Sequence, residues 1–252
     1  MPCAISAFRC KAMFYFLEET TSTNDDARDR RYVEGDIICA ERQTAGRGQR
    51  GHKWSSGEGL DLTFSLVLEP TFVAVDEQFS ILQITALALV ATLADYGIAA
   101  SIKWTNDIYV GDRKITGVLI EHNISGDNLA RTIIGIGINV NRTEFDPSLP
   151  NPTSMKAETG RTFDRREVLE HFHGKIMRLY ASLHAGEVRR LQNRYAEYLY
   201  RRDELHTYAL PDGSRFEGVI RGTEPSGRLV VEHSDGHTET YAFKEIEYVL
   251  KK

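Results

Sequence analysis

Cysteine is scarce in this chain. The three residues, Cys3, Cys10 and Cys39, are odd in number, lie near the start and lack the paired spacing of a metal knuckle or disulfide framework. A reducing compartment is expected. Positive charge is not in excess either, since 31 Lys and Arg stand against 36 Asp and Glu, for a net charge of -5. A general grip on nucleic acid needs many cations to displace phosphate counterions, so that partner class is excluded. The opening stretch MPCAISAFRCKAMFYF has no unbroken apolar run, because Arg9 and Lys11 interrupt it. It meets neither the secretory nor the transmembrane pattern, and a cytoplasmic chain with no membrane partner is expected. The eight histidines are scattered without metal-ligand spacing, which points to structural or solvated roles.

What is present is an ordinary globular composition, 41% hydrophobic and 27% charged over 252 residues, enough for one sizeable core and a small appendage. An apolar run over 14–21 leads into Ser22, Thr23 and Asn24 and then DDARDRR, a strand-to-helix junction with Asp25 and Asp26 at the spacing of a weak capping box. The stretch FSILQITALALVATLADYGIAA predicts a buried helix stopped at Gly97; Gln83 and Asp95 count against a membrane span. Two β-rich segments follow, KITGVLIEH and RTIIGIGINVN, joined by NISGDN and expected to pair antiparallel. In the second, Ile134, Ile136, Ile138 and Val140 alternate with Gly135, Gly137, Asn139 and Asn141. Period two therefore strips one face of bulk, for a packed neighbour or for a ligand that Asn139 and Asn141 would help to bind. Two helical patterns occupy 164–202, and from Leu205 the chain turns to short β segments separated by PDG, EPSG and SDG.

The segment QTAGRGQRGHKWSSGEG carries five glycines among Arg47, Arg50, His52 and Lys53. Glycine allows amide donors to approach a ligand closely, and the cations oppose its charge, so the loop reads as an anion holder. It does not meet the nucleotide fingerprints, GxGxxG set between a strand and a helix or GxxxxGK[ST]. Further on, KWTNDIYVGDRKITG gathers Lys103, Asn106, Asp107 and Lys114 around a tight turn. One carboxylate among cations suits a magnesium-bound phosphate, because Mg²⁺ takes few protein oxygens and keeps its waters.

The segments STN, GRGQRGHKW, KWTND, RKITGVLIE and GIGINVN, in that order, resemble the biotin protein ligase family over residues 14 to 250. The resemblance implies an α+β fold: a central mixed or antiparallel sheet packed with helices, like the class II aminoacyl-tRNA synthetase-like catalytic domain, over 1–204. A small Src-homology-3-like β-barrel over 205–252 would follow. It implies a monofunctional ligase that makes biotinyl-5'-AMP from biotin and ATP with Mg²⁺, then transfers biotin to a lysine of a biotin carboxyl carrier protein domain. Residue by residue, it places Ser22, Thr23, Asn24 and Gln43 around the ureido rings, with Arg47, Gly48, Lys114 and Gly117 completing the biotin pocket. Lys114 and Arg47 are the implied catalytic groups. Gly46, Gly48, Gln49, Arg50, His52, Lys53, Trp54, Lys103, Asn106 and Asn139 would meet ATP or the adenylate, and Asp107 the metal.

Gln49, His52 and Thr105 depart from the commoner family pattern of arginine, arginine or lysine, and proline; the first two remove charge beside the phosphates. Trp54 has two open readings, a wall for the apolar tail of biotin or an anchor for its loop. A lipoate or octanoate ligase or transferase is the nearest alternative, and GRGQRGHKW speaks against it. A biotin-sensing DNA-binding regulator would need about sixty residues of helix-turn-helix before STN, and barely twenty precede it here. An inactive binding module is opposed by the presence of both Arg47 and Lys114. A homodimer through an exposed sheet edge remains open.

Overall fold

The computed structural model describes residues 12–48 and 54–249. Seven strands form one mixed sheet: β1 (Phe14–Thr20), β2 (Ile37–Gln43), β3 (Leu62–Leu68), β4 (Ser101–Lys103), β5 (Asp107–Val110), β6 (Arg113–Ser125) and β7 (Asn128–Ile138), in the order β1-β2-β3-β7-β6-β5-β4. Only β1 and β2 pair in parallel. A parallel pair needs a crossover, and residues 21–36 supply it, with the short helix α1 (Thr23–Asp26) at its start. The expected junction is there, but no side-chain capping bond forms at Ser22. The polar side chains of this turn are free for another task.

Strand period decides what each face holds. Ile134, Ile136 and Ile138 of β7 stand in register with Leu66, Phe64 and Leu62 of β3 and with Ile120, Val118 and Thr116 of β6. This face meets helices α2 (Phe79–Asp95) and α4 (Arg165–His184), with the short α3 (Met155–Thr159) preceding α4 in the chain, and the main core closes there with Phe64 tilted on Phe172 at 5.4 Å. Buried aliphatic side chains of this kind contribute roughly 1.5 to 3 kcal/mol each. Helix α2 also packs on α5 (Val188–Glu197). Covered on several sides, it has no polar face. Residues 75–95 are long and apolar enough to cross a membrane, but 67% of that window is buried inside the fold, as a core helix requires. Cys39 belongs to the same core, and burial pushes its thiol up to about 12. Cys3 and Cys10 lie outside the described residues.

The opposite face is treated differently at its two ends. Near β1, Ile38, Val67 and Ile133 form a second, smaller core with Ala27 and Tyr32 of the crossover. Further along, register brings Thr63 opposite Gly137, Ser65 opposite Gly135, and Gly137 opposite Gly117. This half of the face has almost no side-chain bulk of its own.

From Leu205 a five-stranded antiparallel sheet follows: β8 (Leu205–Ala209), β9 (Arg215–Thr223), β10 (Leu229–His233), β11 (Thr238–Tyr241) and β12 (Glu247–Tyr248), ordered β11-β10-β9-β8-β12. It docks through Gly227, whose carbonyl accepts from Trp104 Nε1 at 2.9 Å. A Cβ at Gly227 would come within 2.6 Å of the Phe79 ring, so only glycine lets this turn seat on the start of α2.

His173 is partly buried between Phe14, edge-on at 5.1 Å, and the Gly35 carbonyl at 3.0 Å, and His122 lies against Thr132 Oγ1 at 2.9 Å. Desolvation lowers both imidazole pKa values below the ordinary 6.5. The unfolded chain therefore takes up protons first as pH falls through that range, and stability present above it is lost below it. Replacing His173 with Gln should flatten the fall in unfolding midpoint between pH 7.5 and pH 5.5; an unchanged slope by calorimetry would remove His173 from this account.

Candidate functional site

The glycine-lined half of the sheet is filled by two side chains of the protein itself. A Cβ at Gly135 would come within 2.2 Å of Asn24 Oδ1, and one at Gly137 within 2.1 Å of the Trp54 indole. At Gly117 the distance to Trp54 is 2.8 Å. Close approach is therefore required at all three positions, and the approaching groups are Asn24 and Trp54. Together with the strands they enclose a cavity of about 60 Å³ lined by Ser22, Thr23, Gln43, Arg47, Gly48 and Lys114, among others.

A chain of hydrogen bonds fixes the polar wall. Thr23 gives its backbone N–H (2.8 Å) and its hydroxyl (3.2 Å) to Gln43 Oε1, while Ser65 Oγ lies 2.8 Å from Thr23 Oγ1 and donates to Asn24 Oδ1 at 2.6 Å. Asn24 Nδ2 then donates to Glu121 Oε2 at 3.0 Å. These bonds decide which way each amide points. Ser65, wholly buried in β3, and Glu121 were not singled out from sequence; two hydroxyls at alternate positions of LTFSLVL, Thr63 and Ser65, are the signal that could have found the first.

Charge gathers at the other end. Lys114 Nζ lies 2.7 Å from Asp107 Oδ1 and 5.7 Å from the Trp54 ring centre. Asn106 Nδ2 donates to Val118 O at 2.5 Å, which holds the turn before Asp107 to β6. A second cavity, of about 270 Å³, opens on the far side, lined by Trp54, Ser55, Asp107, Tyr109, Lys114, Asn139 and Arg142 with the 149–152 segment. The two cavities share Trp54, Asp107 and Lys114.

Both flanks of the glycine-rich loop are tied down. On the entering side, Arg47 pairs with both oxygens of Asp25, at 2.8 and 3.0 Å, with Glu121 at 3.8 Å. On the leaving side, Arg142 donates to Ser55 O (3.0 Å) and Asn139 Oδ1 (2.9 Å) and lies 3.0 Å from Asp61 Oδ2. The Asp61 side chain is fully buried. Burial raises its pKa, against the lowering effect of the Gly57 N–H, Arg142 and the Val140 N–H. Trp54 N–H returns to Gly46 O at 3.0 Å, and a Cβ at Gly46 would come within 2.6 Å of Trp54 O.

The predicted site residues are thus largely brought together, with corrections. Gln49, Arg50, His52 and Lys53 lie outside the described residues. Gly46 closes the base of the loop and lines neither cavity. Lys103 also lines neither; its ammonium sits 5.0 and 5.1 Å from the ring centres of Tyr109 and Tyr248, where desolvation lowers its pKa. Asn141 exchanges both amide bonds with the Phe163 backbone, at 2.9 Å each, and is structural. Strand β7 stops at Ile138, yet the alternation read from sequence carries on past it, since Val140 joins Ile134, Ile136 and Ile138 in the core and Asn139 lines the second cavity. Arg47 answers carboxylates at the mouth rather than pointing a free charge inward.

Comparison with known proteins bears on this geometry. The model of the biotin/lipoate A/B protein ligase family matches residues 13–139. The chain is similar to the bifunctional ligase/repressor BirA of Bacillus spizizenii, 30% identical over 236 residues that cover 90% of this chain and 70% of that one. It is similar also to a biotin–[acetyl-CoA-carboxylase] ligase of Paracoccus denitrificans, 29% identical over 207 residues, 77% of this chain and 82% of that one. Among solved structures, the biotin protein ligase of Aquifex aeolicus in complex with biotin and ATP superposes with a TM-score of 0.80 at 26% identity, covering 95% of this chain and all of that one.

If the bare floor exists to seat the indole, Gly137→Ala should lift Trp54 at a cost of about 1 to 3 kcal/mol. Acrylamide quenching of tryptophan fluorescence should rise in the variant, because the only other tryptophan, Trp104, stays in the core. Quenching equal to that of the unsubstituted chain would contradict the placement of Trp54.

Proposed function

The chain belongs to the biotin/lipoate A/B protein ligase family, and from that premise we propose that it is an ATP-dependent biotin protein ligase whose acid and nucleotide occupy the two cavities that meet at Lys114. The observation that carries this reading is that meeting point. The reaction joins two anions, a carboxylate and the α-phosphate of ATP, and both cavities open onto one lysine, one carboxylate and one indole.

In the first step a biotin carboxylate oxygen attacks the α-phosphorus, the bond to the bridging oxygen breaks, and pyrophosphate leaves with the electron pair. In the second, the amine of an acceptor lysine attacks the acyl carbon, loses a proton, and AMP departs. Neither step needs a covalent bond to the enzyme, so the residues act by position and charge. Lys114 offsets the repulsion between the two anions as they approach. Ser22, Thr23, Asn24 and Gln43 present oriented donors and acceptors to the ureido rings, and Ser65 holds that orientation. The indole of Trp54 and the glycine floor suit the apolar tail, and the cavity that Asn139 and Arg142 line suits the nucleoside.

Asp107, whose side chain is 22% exposed at the junction, fits a magnesium ion that arrives on the triphosphate, because Mg²⁺ accepts few protein ligands. Such an ion would supply positive charge to the phosphates. The Arg47–Asp25 and Arg142–Asp61 ties hold the loop flanks over the junction, so that the acyl-adenylate is kept from water until an amine arrives. The acceptor that fits is the lysine of a biotin carboxyl carrier protein domain, and the sheet beginning at Leu205 is read as a separate small domain beside the ligase domain.

Offering biotin, lipoate and octanoate separately with ATP and Mg²⁺ should yield pyrophosphate with biotin alone; release with lipoate or octanoate instead would overturn the substrate. Lys114→Ala should slow pyrophosphate release on the order of 10²-fold while biotin affinity changes far less, since its charge matters most as the phosphate bond breaks. An equal loss in both would make Lys114 a binding residue only.

A further inference from the structure

The histidines that look scattered along the chain are not all scattered in space. His233 ends β10 and His237 precedes β11; the His233 N–H donates to His237 O at 2.8 Å, so the two face each other across the hairpin. Glu239 lies two residues beyond His237 and therefore on the same face. Donor atoms of His233, His237 and Glu239 all fall within 4.8 Å of one another. None of the three lines either cavity of the ligase site.

We propose that His233, His237 and Glu239 form a binding site for one divalent transition-metal ion of the zinc type. Two imidazoles and a carboxylate, with a water in the fourth position, are a donor set that zinc accepts at about 2.0 to 2.1 Å, which puts tetrahedral ligand atoms about 3.3 Å apart. His233 Nε2 and Glu239 Oε2 already stand 3.4 Å apart. His233 is the fixed member, with its side chain 15% exposed, its ring stacked on Phe216 at 4.3 Å, and the Tyr241 hydroxyl 2.8 Å from Nε2. The same hydroxyl donates to Glu239 at 2.7 Å, so an ion at this point would displace Tyr241 from between its two partners.

His237 is the adjustable member. Its side chain is 54% exposed at the hairpin tip, and its ring lies stacked 4.1 Å from that of His233, from which rotation brings a nitrogen toward the pair. Its Nδ1 hydrogen-bonds Asp235, which leaves Nε2 for an ion and supplies the carboxylate partner that metal-bound imidazoles commonly have. Magnesium, which prefers an all-oxygen shell, does not compete for this donor set.

The test uses the full chain without an affinity tag, stripped with EDTA and titrated with Zn²⁺ by calorimetry in buffer containing Mg²⁺. One equivalent should bind, and His237→Ala and Glu239→Gln should each weaken binding about tenfold or more. Zn²⁺ should raise the unfolding midpoint of the unsubstituted chain and not that of the variants, while biotin-dependent pyrophosphate release without Zn²⁺ stays the same in all three. Failure to bind one equivalent, or undiminished binding by either variant, would sink the assignment.

Discussion

The site depends on three missing Cβ atoms. At Gly117, Gly135 and Gly137 the sheet presents bare backbone, and that alone allows Asn24 and Trp54 to lie against it. Any other residue at Gly135 or Gly137 would bring a carbon to within 2.2 Å of those side chains, far inside van der Waals contact. Glycine within a strand costs stability, and this strand accepts the cost where β3 and β6 flank it on both sides. The floor is rigid because it is the middle of the sheet.

On that floor the protein builds a graded environment. One end is polar and hydrogen-bonded, running from Gln43 through Thr23, Ser65 and Asn24 to the Glu121 carboxylate, so that the direction of each amide is set. The other end carries the Lys114–Asp107 pair. Between them lies the indole, apolar on its face and with its Nε1 buried without a hydrogen-bond partner among the described residues. A molecule with a polar head, an apolar tail and an anionic end matches this sequence of surfaces in order.

The glycine-rich loop is held from both sides by arginine, though in different settings. Arg47 meets Asp25 in partial solvent, where an ion pair contributes little and exchanges easily. Arg142 meets a fully buried Asp61 and also carries the Ser55 carbonyl and the Asn139 amide. Removing one partner from such a group strands a charge in low dielectric, which makes that flank the firmer anchor. The loop is thus pinned at its exit and more loosely clasped at its entry.

The sequence by itself determined the period-two glycine face, the buried helix ended by Gly97, the switch to short strands at Leu205 and the order of the binding segments, because each of these is a local pattern of bulk and polarity. It did not show where the ends of these patterns point: Asn141 is spent on the Phe163 backbone, and Lys103, although paired in register with Asp107, sets its ammonium over Tyr109 and Tyr248. Only the tertiary structure decided that Ser65 and Glu121 order the polar wall, that Asp61 and Arg142 anchor the loop, and that His233, His237 and Glu239 converge. Those pairings depend on strand register and on which elements pack together, and such contacts between residues remote in sequence leave no periodic mark on the chain that makes them.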